Sequence, residues 1–262
     1  MKKPIIAFAT AILILASCGE SKSFAYSGEP GIELSNKDEW YNSFGHWTDV
    51  TANMSTYTSY YLSSGSERDD YEVSSESTFK INWRGEADIS QTITNNGTTS
   101  TTLAYVRRES GLPSDLTFSF TSTVITDGQQ QVLDGSVLNT DSFDAYEDLY
   151  DDAAYQEGGY YLVSLPEEDK PDFFSSLLGA LSALPGYTFE YDFSKMDIKI
   201  AIAFGKDGDG QTRPIYMQEW AVGEMIIHAS AFGQSADLTY GIEELSNVYT
   251  FAWGEPTLSS EY

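Results

Sequence analysis

The apolar positions of this chain change their spacing several times, and each change marks a different kind of element. The first regime is an unbroken apolar run from Ile5 to Ala16 behind Lys2 and Lys3. From Asp49 to Leu138, apolar or aromatic residues alternate with small β-formers, the period of two that marks half-buried strands. In Ala52 to Leu62, Met54, Thr56, Thr58 and Tyr60 take one face and Tyr57, Ser59 and Tyr61 the other. In Tyr71 to Trp83, the odd positions Tyr71, Val73, Phe79, Ile81 and Trp83 share a face. A turn at Gly85, a strand over Ala87 to Thr94, an Asn95-Asn96-Gly97 hairpin turn and a return over Thr99 to Arg107 follow. Asp115 to Thr126, with Leu116, Phe118 and Phe120 facing one way, then turns at Asp127-Gly128 into a strand around Gln131 to Leu138. Strands joined by such short turns form an antiparallel meander.

The period then lengthens. In Asp141 to Ala154, Phe143, Tyr146, Leu149 and Tyr150 recur at three and four, which predicts an amphipathic α-helix of about three turns with a solvated acidic face. Tyr160 to Leu165 is a short apolar strand. Over Lys170 to Gly186, Pro171 suits a first helical turn and Pro185-Gly186 a stop. Phe173, Phe174, Leu177, Leu178, Leu181 and Leu184 form its stripe. No charge falls between Asp172 and Gly186, so this second helix is expected to be largely covered, as a core helix on the sheet or as a lid on a cavity. The remainder is β again: Tyr187 to Phe193, Met196 to Phe204, Arg213 to Trp220, Glu224 to Phe232, Asp237 to Ile242 and Asn247 to Trp253. In Met196 to Phe204, Met196, Ile198, Ile200, Ile202 and Phe204 share one face.

Composition narrows the function. With 14 Lys+Arg against 40 Asp+Glu, a net charge of −26, the chain repels phosphate backbones, which excludes nucleic acid as a partner. The single cysteine leaves no disulfide, and two distant histidines give no metal-ligand spacing. Asp207 and Asp209 resemble the start of a calcium loop, but no third ligand or closing Glu follows, so the segment reads as a hairpin turn. There is no G-x-S-x-G, H-E-x-x-H or phosphate-loop motif and no cofactor signature, and the carboxylate pairs Asp69/Asp70 and Glu167/Glu168 lie in turn-like segments. An enzyme is not expected.

The leader gives location. A basic start, an apolar run too short to span a bilayer and Leu15-Ala16-Ser17-Cys18 resemble the lipobox of bacterial lipoproteins. That resemblance implies removal of residues 1–17 and acylation of Cys18, anchoring the protein to the cell membrane or outer membrane, facing the periplasm or the exterior. Glu20 in place of Asp gives no inner-membrane retention signal. Residues 18–36, rich in Ser, Gly and Glu, read as a flexible tether holding one β domain, 37–262, clear of the membrane. Trp40 and Trp47 flank His46 in an aromatic segment that packs on the sheet or touches a ligand.

A meander, a charge-free helix and a second meander behind a lipobox resemble the LolA/LolB-like and LppX-like lipoprotein superfamily. The likeness rests mainly on Tyr160 to Trp253, including the Phe204 to Met217 hairpin with its Asp-x-x-Gly-x-Pro-like turn. It implies a mainly β fold with a few helices (α+β): a curved antiparallel sheet, or incompletely closed β-barrel, with helices on its concave face. It also implies binding or carriage of a lipid or other apolar molecule. The residues expected to line such a cavity are Phe79, Ile81, Trp83, Phe118, Phe120, Phe173, Phe174, Leu177, Leu178, Leu181, Ile198, Ile200 and Ile202, each of which serves equally as core. The alternatives are an interaction or structural lipoprotein that fills its own concavity, and carbohydrate binding through the Tyr60/Tyr61 and Tyr160/Tyr161 neighbourhoods or a hydrolase without a recognised motif.

Overall fold

A computed structural model describes residues 23–45, 48–108, 120–134, 141–232 and 234–260. Among the described residues, eleven strands make one antiparallel sheet. They are β1 (Val50–Ser64), β2 (Glu67–Ile81), β3 (Ala87–Asn95), β4 (Thr98–Arg108), β5 (Phe120–Thr126), β6 (Gln129–Asp134), β7 (Ala153–Gln156), β8 (Tyr160–Ser164), β9 (Tyr187–Lys206), β10 (Thr212–Ala231) and β11 (Gln234–Trp253). Their spatial order is β6-β5-β4-β3-β2-β1-β11-β10-β9-β8-β7, two meanders joined where β1 pairs with β11. The sheet is curved and not closed, as expected, with β6 and β7 at its edges. The Asn-Gly turn forms as the sequence requires: Asn96 and Gly97 take φ of 45° and 79°, the left-handed pair of a tight hairpin.

The C-terminal half is simpler than its sequence suggests. The six strands expected over Tyr187 to Trp253 are three strands of 20 residues each. Register shifts at Glu224/Ile226 and Ala221/Gly223 absorb the breaks in alternation while the ladder continues. Gly223 makes one of them possible. Its φ is 116°, and a Cβ there would lie 2.1 Å from the Lys195 carbonyl oxygen.

Four helical segments among the described residues accompany the sheet, with α1 (Lys37–Phe44) started by the Asn36 side chain accepting from the Glu39 amide. The helix expected over Asp141 to Ala154 is a 3₁₀ helix, Asp141–Asp152, followed directly by β7. Its apolar residues explain the difference, because 143, 146 and 149 are spaced by three, which lines up at three residues per turn; Tyr146 and Leu149 are buried. The helix expected over 170–185 breaks into α2 (Lys170–Phe173) and α3 (Ser175–Ser182) at Phe174, whose φ/ψ of −99°/16° leaves the helical region.

Cross-strand register places Ile198, Ile200 and Ile202 opposite Ala221, Glu219 and Met217, and these opposite Leu245, Asn247 and Tyr249. They share the concave face, which α1, the 3₁₀ helix, α2 and α3 cover along β8 to β10. The convex face there is covered too. Phe24 meets Trp220 edge-on at 6.1 Å, Tyr26 stacks on Tyr160 at 4.0 Å, and Gly31 and Ile32 donate to the carbonyls of Gly159 and Phe204. Residues 23–36 are therefore a packed strap, not the tether expected over 18–36. A Cβ on Gly31 would come within 2.5 Å of the Phe204 carbonyl oxygen, so glycine serves close approach there and not flexibility.

Candidate functional site

The concave face divides along the strands into a closed end and an open end. At the closed end, Trp40 of α1 is fully buried against Phe44, Tyr150, Tyr161 and Phe204, and its Nε1 donates to the Tyr146 carbonyl at 3.0 Å. Trp40 is a core residue. Beneath it lies Glu219, fully buried, its carboxyl accepting from Tyr146 Oη (2.5 Å), Asn247 Nδ2 (2.7 Å) and Tyr249 Oη (3.1 Å). Burial pushes its carboxyl above the ordinary value, against the three donors that favour the charged form.

A continuous path of aromatic contacts crosses the other end of the face. Tyr71 stacks on Tyr60 at 5.7 Å, Tyr60 meets Tyr240 at 4.7 Å, and Tyr240 meets Phe174 at 6.4 Å. From Phe174 the path continues through Phe193 (5.8 Å), Tyr191 (6.4 Å), Phe189 (6.3 Å) and Tyr187 (5.9 Å). Phe193 is buried, Phe189 half-buried and Tyr187 51% exposed, so the apolar surface runs from core to solvent without a break. Leu177, Leu178 and Leu181 of α3 pack over it, each half-buried.

Polar atoms on this face are unevenly satisfied. Tyr60 Oη, Ser77 Oγ and Tyr191 Oη are buried with no hydrogen-bond partner among the described residues. Register puts all three on the concave side: Tyr60 opposite Tyr71 and Ile242, Ser77 opposite Met54, Tyr191 opposite Ile227. Burial raises the Tyr60 phenol far above its usual pKa, so it stays a neutral donor. Lys170 is also buried, donating from Nζ to the Phe193 carbonyl at 3.2 Å.

The expected lining residues separate on this map. Ile198, Ile200 and Ile202 are at most 1% exposed and, with Phe173, belong to the packed core beneath the helices. Phe174, Leu177, Leu178 and Leu181 sit on or over the aromatic path. Phe79 and Ile81 are half-buried on the concave face of β2. Trp83 is a correction: β2 ends at Ile81, the chain turns through Asn82 and Gly85, and the indole is 59% exposed outside the sheet. Phe118, like Cys18, His46 and Trp47, lies outside the described residues, and Phe120 opens β5. The sequence reading missed the buried Glu219 and the unpartnered hydroxyls.

Other features are already accounted for. Asp207 Oδ1 accepts the amides of Asp209 and Gln211, so its carboxylate closes the hairpin turn. The tyrosines considered for sugar binding are engaged: Tyr160 under Tyr26, Tyr61 under Arg68 at 3.8 Å with its hydroxyl on Glu224, and Tyr60 buried. A polar recess of about 440 Å³ at the start of α1 is centred on Glu39, which accepts from Ser35 N (2.8 Å) and Thr212 Oγ1 (2.5 Å) and pairs with Lys206. These partners, the Ser35 amide first, hold Glu39 down at about 2. A depressed carboxyl contributes stability above its unfolded value near 4.5 and loses it as pH falls towards 2. Glu39→Gln is therefore expected to flatten the fall in melting temperature across that window, which thermal melts against pH would read. An unchanged slope would assign acid sensitivity elsewhere.

No protein-family profile and no curated protein matches this sequence. Among solved structures, similarity extends to a putative AttH from Nitrosomonas europaea, at 9% identity over 89% of this chain and 60% of that one (TM-score 0.17). A DUF1329 family protein from Desulfovibrio piger matches at 11% identity over 86% and 94% (TM-score 0.19). A putative outer membrane lipoprotein-sorting protein domain from Vibrio parahaemolyticus matches at 10% over 85% and 92% (TM-score 0.17). At such identities and scores, function has to be argued from this chain's own geometry.

Proposed function

We propose that this chain is an envelope lipoprotein, anchored through Cys18, whose concave face binds a lipid or other amphiphile along the aromatic path. The observation that carries the reading is the pair of hydroxyls on Tyr60 and Tyr191, members of that path that are buried with no hydrogen-bond partner among the described residues. A buried hydroxyl without a partner costs about 1–3 kcal/mol, and native folds rarely keep one without use. Two on one concave face, on an apolar path that reaches solvent, suit a molecule whose hydrocarbon lies on the rings and whose ester, carboxyl or phosphate oxygens accept hydrogen bonds from the hydroxyls. The buried ammonium of Lys170 beside Phe193 favours an acidic group among those oxygens.

Native mass spectrometry of the mature chain purified from a bacterial host, with organic extraction of what travels with it, tests this. A lipid-sized adduct is expected. Tyr60→Phe and Tyr191→Phe together should reduce it several-fold while leaving unfolding stability equal or higher, because each removes an unpaired buried hydroxyl. A clean mass that stays clean after incubation with phospholipid or fatty acid would sink the proposal. It would favour the self-filled interaction lipoprotein, the reading to which the packed Ile198, Ile200 and Ile202 belong.

A further inference from the structure

Lys170 is a buried cation in a chain with 40 acidic and 14 basic residues. It opens α2, is 8% exposed, and its Nζ has one partner among the described residues, the Phe193 carbonyl. No carboxylate among them pairs with it. An ammonium presents three donors, and burying it is costly unless both the donors and the charge are met. Phe193 is also the inner end of a file of rings. Tyr191, Phe189 and Tyr187 follow it at alternate positions of β9, opposite Ile227, Ala229 and Ala231. The outer end is bare: Tyr187 is 51% exposed, and Phe232, in the turn just past Ala231, is 92% exposed with Gly186 under its ring. One apolar surface thus begins at a cation and ends in water.

We propose that this file of rings holds a single-chain amphiphile bearing one negative charge, of which a long-chain fatty acid is the simplest. Its head group sits on Lys170, and its tail runs out along the rings towards Phe232. The inference rests on the lipid-binding reading above and adds the class and the orientation of the ligand.

Charge, width and length each select that class. One ammonium balances one carboxylate, whereas a phosphate monoester brings about −1.5 to −2 and a zwitterionic head group sets a second cation near the first. The rings stand in single file along β9, and the half-buried Leu177, Leu178 and Leu181 of α3, a helix without charge, pack over them, which matches one chain in width. The strand from Tyr187 to Phe193 makes the file roughly 20 Å long, against about 15 Å for the hydrocarbon of one bilayer leaflet. An extended acyl chain therefore fits with its carboxylate inside. The Tyr191 hydroxyl, buried and unpartnered, adds a neutral donor to the same file. The opposite orientation would press a hydrocarbon end against the ammonium and leave the charged head at an apolar mouth.

The test is calorimetric titration of the mature chain, stripped of extractable lipid, with dodecanoate and with 1-dodecanol, which share a chain and differ in charge. Dodecanoate is expected to bind at least about ten-fold tighter. Lys170→Met keeps an apolar stem and removes the charge, so it should weaken dodecanoate until the two affinities meet while leaving dodecanol unchanged or tighter. Because the variant deletes a buried charge that no carboxylate meets, its melting temperature should be no lower than that of the native chain. Equal affinity of the native chain for dodecanoate and dodecanol would overturn the assignment and leave lipid binding standing. So would a preference for dodecanoate that survives in Lys170→Met, or tighter binding of phosphatidylcholine than of dodecanoate. Binding of none of these molecules would overturn both readings together.

Discussion

Glu219→Ala is expected to lower the unfolding free energy by roughly 3–5 kcal/mol, read as a shift in denaturant midpoint. The carboxyl is sealed beneath the 3₁₀ helix and accepts from Tyr146, Asn247 and Tyr249. Removing it strands three buried donors at once and leaves a gap among Ile200, Met217 and their neighbours. Glu219→Gln keeps the volume and one acceptor oxygen and should cost only about 1 kcal/mol. The pair also gives a pH test. Because burial raises the folded-state value above the unfolded 4.5, the neutral acid is the form the fold prefers. The stability that wild type holds over Glu219→Gln should thus be greatest below pH 4.5 and decline as pH rises through the folded value. A difference constant with pH would mean that the three donors fully offset burial.

Trp40→Ala should cost about 3–5 kcal/mol, the range for deleting a large buried aromatic. Its indole joins α1 to β9 through Phe204, to β8 through Tyr161 and to the 3₁₀ helix through Tyr150 and the Tyr146 carbonyl. Amide exchange within Asp141–Asp152 is therefore expected to quicken more than exchange in β1 to β4, which the indole does not touch. Trp40→Phe, which keeps most of the ring but leaves the Tyr146 carbonyl without its donor, should fall between the two. A loss below about 1 kcal/mol for the alanine variant would show that the helices hold without this contact.

The strands were legible because their alternation and turn residues agree: Asn96-Gly97 and Asp127-Gly128 both form left-handed turns where the pattern places them. What escaped has local reasons. Gly28 and Gly31 in the strap read as looseness, yet Gly31 is the residue that lets backbone meet backbone at Phe204. Three-residue spacing at 143, 146 and 149 is compatible with α-helix in one dimension and resolves to 3₁₀ only on the sheet. Glu219 had a usable signal, since it shares parity with Met217 and Ala221 on a face otherwise apolar. The unpartnered hydroxyls had none, because whether a tyrosine finds an acceptor depends on strands far apart in sequence. Likewise the exposure of Phe232 follows from β10 and β11 ending together, whereas in sequence it looks like the last apolar residue of a strand.

The pairing of β1 with β11 sets the order in which the molecule can be assembled. Each meander zips from neighbouring segments, but Val50 meets Trp253 only after some two hundred intervening residues have been made. A chain emerging from its N-terminus must carry the exposed edge of β1 throughout synthesis, an invitation to pair with another copy. Truncation between Ala231 and Gln234 would leave both β1 and β10 as bare edges, turning one sheet into two sticky halves.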